Sequence, residues 1–216
     1  MIFGEISLWW LFAICPIAYF IGNFNCTRFL CRHIFHDDFT KVGSGNPGAT
    51  NMLRMHGRKW FFLVFFVDAG KGVLSCLIAF LCYGYTDNVA LIAMLAMGLS
   101  VVFGTVFPVL YRFRGGKAVS TMVGVGWFIN PVILTILFFI FLILILTVRI
   151  VSVLSITGIS SWVIWAIFDK FFFPVRELQT VSVILYCFFI VIVIFTHHKN
   201  LVRIFKWQEH RVSWKK

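Results

Sequence analysis

The chain has 216 residues, 61% of them hydrophobic and only 12% charged, with a mean hydropathy of +0.95. A soluble domain is about half apolar and about a quarter charged, so composition excludes a water-soluble globule and predicts an all-α polytopic membrane protein. In a soluble chain the net charge of +11 would suggest nucleic acid; here it predicts basic loops against anionic headgroups, with membrane lipid as the partner and no nucleic acid.

A first apolar run covers 3–22, and no Lys or Arg precedes it, unlike a signal peptide. Residues 23–59 are polar and carry Arg28, Arg32, Lys41, Arg54, Arg58 and Lys59. Asn25-Cys26-Thr27 fits the glycosylation sequon, a weak match read here as lying on the cytoplasmic side. Residues 60–84 are apolar except for Asp68 and Lys71. Charges inside a span are costly and face the bundle interior, so a mutual ion pair buttressing the site is expected.

After a YTDN turn, 89–111 is apolar, and RFRGGKA at 112–118 is a basic glycine loop. The apolar run 119–148 would reach about 45 Å as one helix, beyond a hydrocarbon core of about 30 Å. Proline removes a backbone donor and disfavours helix in the residue before it. Asn130-Pro131 therefore predicts two spans, 119–129 and 131–148, the first too short to cross alone and partly shielded by protein. Arg149 and an apolar run to Phe168 follow, then DKFFFPVRELQ, whose aromatic flank suits a membrane interface. Residues 180–196 are apolar, and the basic tail begins at His197.

Seven spans with the N-terminus outside put sixteen Lys/Arg inside and two, Lys170 and Arg176, outside. Six spans weaken that asymmetry, so the positive-inside rule selects seven, with a cytoplasmic C-terminus. No long polar linker or internal repeat divides residues 1–216, which are read as one domain. The six cysteines show no CxxC and no pairing with histidine, and are read as free thiols. No metal, nucleotide or other cofactor site is visible.

This topology brings three polar segments to one face. In GSGNPGATNMLR (43–54), Gly45 and Gly48 allow backbone N–H groups to converge on an anion. Ser44, Asn46, Thr50 and Asn51 add side-chain donors, and Arg54 adds a charge suited to phosphate. Alone, such a loop is more plainly a turn with a helix cap. In FRGGKAVST (113–121), Gly115 and Gly116 precede Lys117 at a helix start, a site for anions or a basic interfacial anchor. In the tail, His197, Asn200 and Arg203 share a face if helical, with Glu209 beyond; a juxtamembrane basic helix is the plainer alternative.

SGNPGATNMLR, DAGKG, FRGGKAVST and HHKNLVRIFKWQE, in this order, resemble the bacterial acyl-phosphate:glycerol-3-phosphate acyltransferases, the PlsY family. The likeness covers nearly the whole chain. It implies seven helices in the bacterial inner membrane, an outside N-terminus and an active site at the cytoplasmic face. The substrates implied are acyl phosphate and glycerol 3-phosphate, the products 1-acyl-glycerol 3-phosphate and phosphate. Oligomeric state stays open. The resemblance assigns catalytic roles to Ser44, Lys117, His197 and Asn200. Substrate binding falls to Gly45, Asn46, Gly48, Thr50, Asn51, Arg54, Gly115, Gly116, Ser152, Arg203 and Glu209, with Ser155 another polar position after Arg149. The general base is left between His197 and the donor's own phosphate.

The chain departs from the family pattern at Pro47, where isoleucine is favoured, and at Thr105, where histidine follows the glycine. It departs again at Ala118 and Trp207, which replace glycines, and at His198, which replaces arginine. Two rival readings are an acyl-CoA-dependent acyltransferase, from His33 and Asp38 at HxxxxD spacing, and a non-enzymatic anion transporter or inactive paralogue.

Overall fold

A computed structural model describes residues 10–84, 88–172, 179–209 and 211. The start of the first apolar run, most of the YTDN turn, Arg176 with most of its aromatic segment, and the end of the tail lie outside the described residues. Every regular element among the described residues is helical. In chain order the α-helices are α1 (Leu11–Asn23), α2 (Cys26–Leu30), α3 (Ala49–His56), α4 (Arg58–Tyr83) and α5 (Asn88–Val106). Then come α6 (Val119–Ile129), α7 (Pro131–Thr147), α8 (Val151–Phe172), α9 (Gln179–Thr196) and α10 (His198–Phe205).

Among the described residues three stretches are long and apolar enough to cross a membrane, Arg58–Tyr83, Val89–Tyr111 and Val151–Asp169; a fourth candidate joins α9 and α10 across a 59° bend. The helices α1, α6 and α7 are apolar but shorter. The long run divides where Asn130-Pro131 predicts: α6 ends at Ile129, and Pro131 opens α7 at a position that needs no N–H. Asn130 Oδ1 accepts from Trp162 Nε1 (3.2 Å) and Tyr186 Oη (3.4 Å), tying the break to α8 and α9. At 1.5 Å per residue α6 is only about 16 Å long, and Thr121, Met122, Gly124, Val125, Gly126 and Ile129 are buried.

Glycines let helices cross at backbone distance, the small-residue packing common in membranes. Gly22 of α1 lies against the Val101 carbonyl of α5, and Gly104 of α5 against the Tyr19 carbonyl of α1. Gly72 and Gly124 make the same reciprocal contact between α4 and α6. Asp68 and Lys71 pair at 2.8 Å, as expected, and Lys71 Nζ also donates to the Phe24 carbonyl (2.9 Å). The pair therefore holds the α1–α2 junction against α4, at the end of the bundle where the polar segments gather.

Candidate active site

The three polar segments and the start of α8 surround one cavity of ≈160 Å³. In the first segment, Gly43 (φ 60°) and Gly45 (φ 66°) take left-handed conformations that turn the chain. Asn51 staples the loop from inside: Nδ2 donates to the Phe39 carbonyl (3.0 Å), and Oδ1 accepts from the Ser44 N–H (3.4 Å). Ser44, Asn46, Gly48, Thr50, Asn51 and Arg54 all line the cavity, together with the first turn of α3. Gly45 does not; it turns back against the Thr40 carbonyl.

In the second segment the Gly116 N–H donates to the Thr105 carbonyl (3.0 Å). Gly116 and Lys117 line the cavity, and Gly116 faces the Pro47 carbonyl, so the two loops touch. Gly115 is outside the lining, pressed against the Thr105 and Val106 carbonyls where no side chain fits. The helices α3 and α6 both begin at the cavity wall, and their unpaired N–H groups and dipoles favour an anion there.

The tail completes the wall. His197 sits at the 59° bend, 2% exposed. Its Nδ1 is 2.8 Å from the Val193 carbonyl; a carbonyl only accepts, so Nδ1 carries the proton and Nε2 is left as the acceptor nitrogen. Burial first, and the Lys117 charge second, lower its pKa to about 4, so it is neutral at neutral pH.

Asn200 Oδ1 accepts from Lys117 Nζ (2.5 Å), and Asn200 Nδ2 donates to Glu209 Oε1 (2.5 Å). Ser152 Oγ donates to the same oxygen (2.9 Å), and Arg203 Nε to Oε2 (2.7 Å). Burial pushes the Glu209 carboxyl up, but the hydrogen bonds from Arg203, Asn200 and Ser152 outweigh it and hold the group ionised below its usual range. Burial lowers Lys117 to about 8; Glu209 opposes the shift, while Arg203 and Arg54 reinforce it. With Arg54, Lys117 and Arg203 gathered around Glu209, and the lining Asp68 paired with Lys71, the polar end carries surplus positive charge.

Three of the departures named from the family resemblance have physical readings. Ala118 starts α6 at φ 57° and Trp207 follows α10 at φ 57°, both left-handed, the conformation that glycine adopts without strain. Trp207 closes a Schellman turn: its N–H donates to the Ile204 carbonyl (2.9 Å) and the Gln208 N–H to that of Arg203 (2.8 Å). The backbone thus keeps a glycine's shape at both positions. The Thr105 hydroxyl lies 2.9 Å from the Val101 carbonyl and 3.2 Å from that of Gly22, bridging α5 to α1.

Sequence reading passed over two residues that hold the loops. Asn25 Oδ1 caps α2 through the Arg28 N–H (2.9 Å), while Nδ2 donates to the Pro47 carbonyl (3.1 Å). Arg28 donates from Nη2 to the Arg114 carbonyl (2.5 Å) and lies over the rings of Phe39 and Tyr111, joining the first loop to the second. The signal for Asn25 was its place before a short helical run, an N-cap pattern eclipsed by the sequon.

Below the polar end the cavity continues as an apolar arm. Phe61 and Phe65 of α4, Val123 of α6, Leu134, Leu137, Phe138 and Phe141 of α7, and Leu154, Gly158 and Ile159 of α8 line it. Each set falls at helical spacing, one stripe per helix.

The family described as Glycerol-3-phosphate acyltransferase matches residues 12–207. The glycerol-3-phosphate acyltransferase of Staphylococcus aureus (strain Newman) is 33% identical over 201 residues, covering 92% of this chain and 96% of the relative. The chain belongs to the glycerol-3-phosphate acyltransferase family. Other family relatives match shorter stretches: that of Finegoldia magna is 38% identical over 125 residues, and that of Coxiella burnetii (strain Dugway 5J108-111) 44% over 110. Those stretches span 60% and 54% of the two relatives' lengths. The crystal structure of PlsY, an integral membrane glycerol 3-phosphate acyltransferase, in its glycerol 3-phosphate form superposes with a TM-score of 0.81 at 30% identity, over 94% of this chain and 96% of that one. The lysophosphatidic acid form of PlsY gives 0.79 at 29% identity. This family member is accordingly a helical integral membrane protein.

Proposed function

We propose that the chain transfers a fatty acyl group from acyl phosphate to the 1-hydroxyl of glycerol 3-phosphate, in phospholipid synthesis. The observation that carries the reading is one cavity with two chemistries: an end rich in cations and helix N-termini, continuous with an apolar arm. The first suits two phosphates, the second an acyl chain.

Acyl phosphate is already a mixed anhydride, so direct transfer suffices. The glycerol 3-phosphate hydroxyl oxygen bonds to the acyl carbonyl carbon. The bond from that carbon to the phosphate oxygen breaks, and the phosphate leaves with the electron pair. Arg54, Lys117 and the loop N–H groups hold the phosphates and the developing charge. Asn200 and Glu209 orient Lys117 and Arg203. In this reading Ser44 donates a hydrogen bond and does not become acylated. The hydroxyl proton passes to a phosphate oxygen of the donor. Burial and the Lys117 charge lower His197 to about 4, which makes it a poor base for this proton. His197 then serves through Nε2 as a neutral acceptor that orients the substrate hydroxyl.

The topology that goes with this reading has seven spans, the N-terminus outside and the site on the cytoplasmic face of the bacterial inner membrane. The sixteen-to-two Lys/Arg asymmetry supports it. The HxxxxD rival finds no support, because neither His33 nor Asp38 is among the cavity lining; Asp38 caps the turn at Thr40 (2.9 Å).

The test is purified protein in lipid with acyl phosphate and glycerol 3-phosphate, following phosphate and lysophosphatidic acid together. Transfer from acyl-CoA but not from acyl phosphate overturns the donor. Uptake of glycerol 3-phosphate into sealed vesicles without acylation overturns the enzyme. With acyl phosphate alone, no phosphate burst and no adduct on the 41–54 peptide are expected; a stoichiometric burst with acylated Ser44 replaces direct transfer by a covalent route. A cysteine in the tail that labels from outside intact cells refutes the seven-span topology.

A further inference from the structure

The apolar arm has one gap in its walls. Three glycines line the cavity: Gly48, Gly116 and Gly158. A Cβ built on Gly48 meets the Asn46 amide, and one built on Gly116 meets the Pro47 carbonyl, whereas one built on Gly158 meets nothing within 4 Å. Gly158 lies inside α8 and is absent from the positive-φ residues, so its backbone does not require glycine. No neighbouring helix approaches it closely enough to require glycine either. Glycine also weakens a helix interior relative to alanine. With conformation and close packing set aside, the open space is what the residue provides.

That space lies six residues, about 9 Å, along α8 from Ser152, on the stripe that carries Ser155 and Ile159. The deep end is closed by Leu134, 4% exposed, and Ile159, 2% exposed. On the far side, Phe65 of α4 and Phe138 of α7 stack with centroids 5.8 Å apart. A side chain at 158 would enter the arm beside this floor, one residue from Ile159 and about 9 Å along α8 from Ser152.

We propose that Gly158 determines acyl-chain length, keeping the inner part of the arm open for long chains. The proposal rests on the acyltransferase reading above and adds to it a residue that decides among donors. Gly158 touches the acyl chain and no reacting atom, so it acts on fit.

The experiment uses the full chain in lipid nanodiscs, as wild type, Gly158→Ala and Gly158→Leu. Lysophosphatidic acids with short, medium and long saturated chains serve as probes, with binding measured by titration. Binding to the wild type should tighten with chain length. Gly158→Leu should lose about tenfold or more for the longest chain and stay within about twofold for the shortest, the scale of discrimination that an apolar pocket achieves. Gly158→Ala should fall between them while raising the melting temperature, so that a smaller preference for long chains does not reflect damaged folding. Unchanged length dependence in Gly158→Leu overturns the proposal, as does an equal loss at every length in a variant that melts like the wild type. If Gly158→Leu does not fold, Gly158→Ala decides: a wild-type length profile overturns the proposal. Failure of the acyltransferase reading looks different, since the wild type would then form no lysophosphatidic acid from acyl phosphate while its length-dependent binding could still be read.

Discussion

The two ends of the cavity are built by opposite means. At the polar end, Glu209 collects Ser152, Asn200 and Arg203, and Asn200 passes the chain of hydrogen bonds to Lys117. In the apolar arm, four helices contribute hydrocarbon and aromatic side chains. A hydrogen-bonded charge network responds to losing one atom, whereas an apolar wall responds to volume. Substitutions at the polar end should therefore change rate and pH dependence, and those in the arm should change which chain fits.

The largest effect is expected at Lys117. Lys117→Met should reduce kcat by about 10²–10³-fold, the scale of losing one transition-state donor, with an unchanged melting temperature. A comparable kcat loss for a short-chain donor in Phe138→Ala would break the distinction between the two ends.

Glu209→Gln should reduce kcat/KM by about 10–100-fold, the worth of a charge-assisted hydrogen bond. It should also move the pH profile in a defined direction. In the proposed mechanism Lys117 holds phosphate while protonated, so activity should fall as pH rises through about 8. Glu209 raises the Lys117 pKa, and its loss should bring that fall to lower pH. His197, at about 4, stays neutral from pH 6 upward and contributes no inflection there. A profile that shifts upward in Glu209→Gln would disprove the coupling.

Arg54→Lys keeps the charge but loses the guanidinium fork, and KM for at least one substrate should rise about tenfold. Unchanged kinetics would mean that Arg54 holds no substrate phosphate.

The smallest effects belong to Ala118→Gly and Trp207→Gly. Each should add about 1 kcal/mol by relieving a left-handed residue, a rise of roughly 2–4 °C in melting temperature, with turnover little changed. Destabilisation by either would mean that the side chain contributes more than its backbone strain costs.

What sequence alone conveyed follows from the range of the interactions. The Asn130-Pro131 break was legible because proline acts on its own backbone and on the residue before it. The polar segments were legible because glycine, serine and arginine stand out against apolar neighbours. The Asp68–Lys71 pair was legible because its members are one helical turn apart. The Glu209 hub was less so, since its partners lie 6, 9 and 57 residues away, and a lone glutamate in a basic tail says nothing of what it gathers. Asn25 and Arg28 were missed for the same reason; their contacts reach across 22 and 86 residues. Gly45 and Gly115 show the limit of motif reading: both stand beside lining residues, yet they shape turns and do not face the cavity.

The brevity of α6 bears on how such a protein tolerates a changing bilayer. Bilayers vary in thickness with lipid composition, and a span longer or shorter than the hydrocarbon responds by tilting or by deforming the lipid around it. That adjustment falls on helices that touch lipid across the full width, such as Arg58–Tyr83 and Val151–Asp169. At eleven residues, and welded to α4 through Gly72 and Gly124, α6 does not span the hydrocarbon by itself. The helix whose first turn lines the cavity therefore has no hydrocarbon width of its own to match, and it follows α4 as that helix tilts. On the acyltransferase reading, two walls of the site would move together as the composition of the surrounding bilayer drifts.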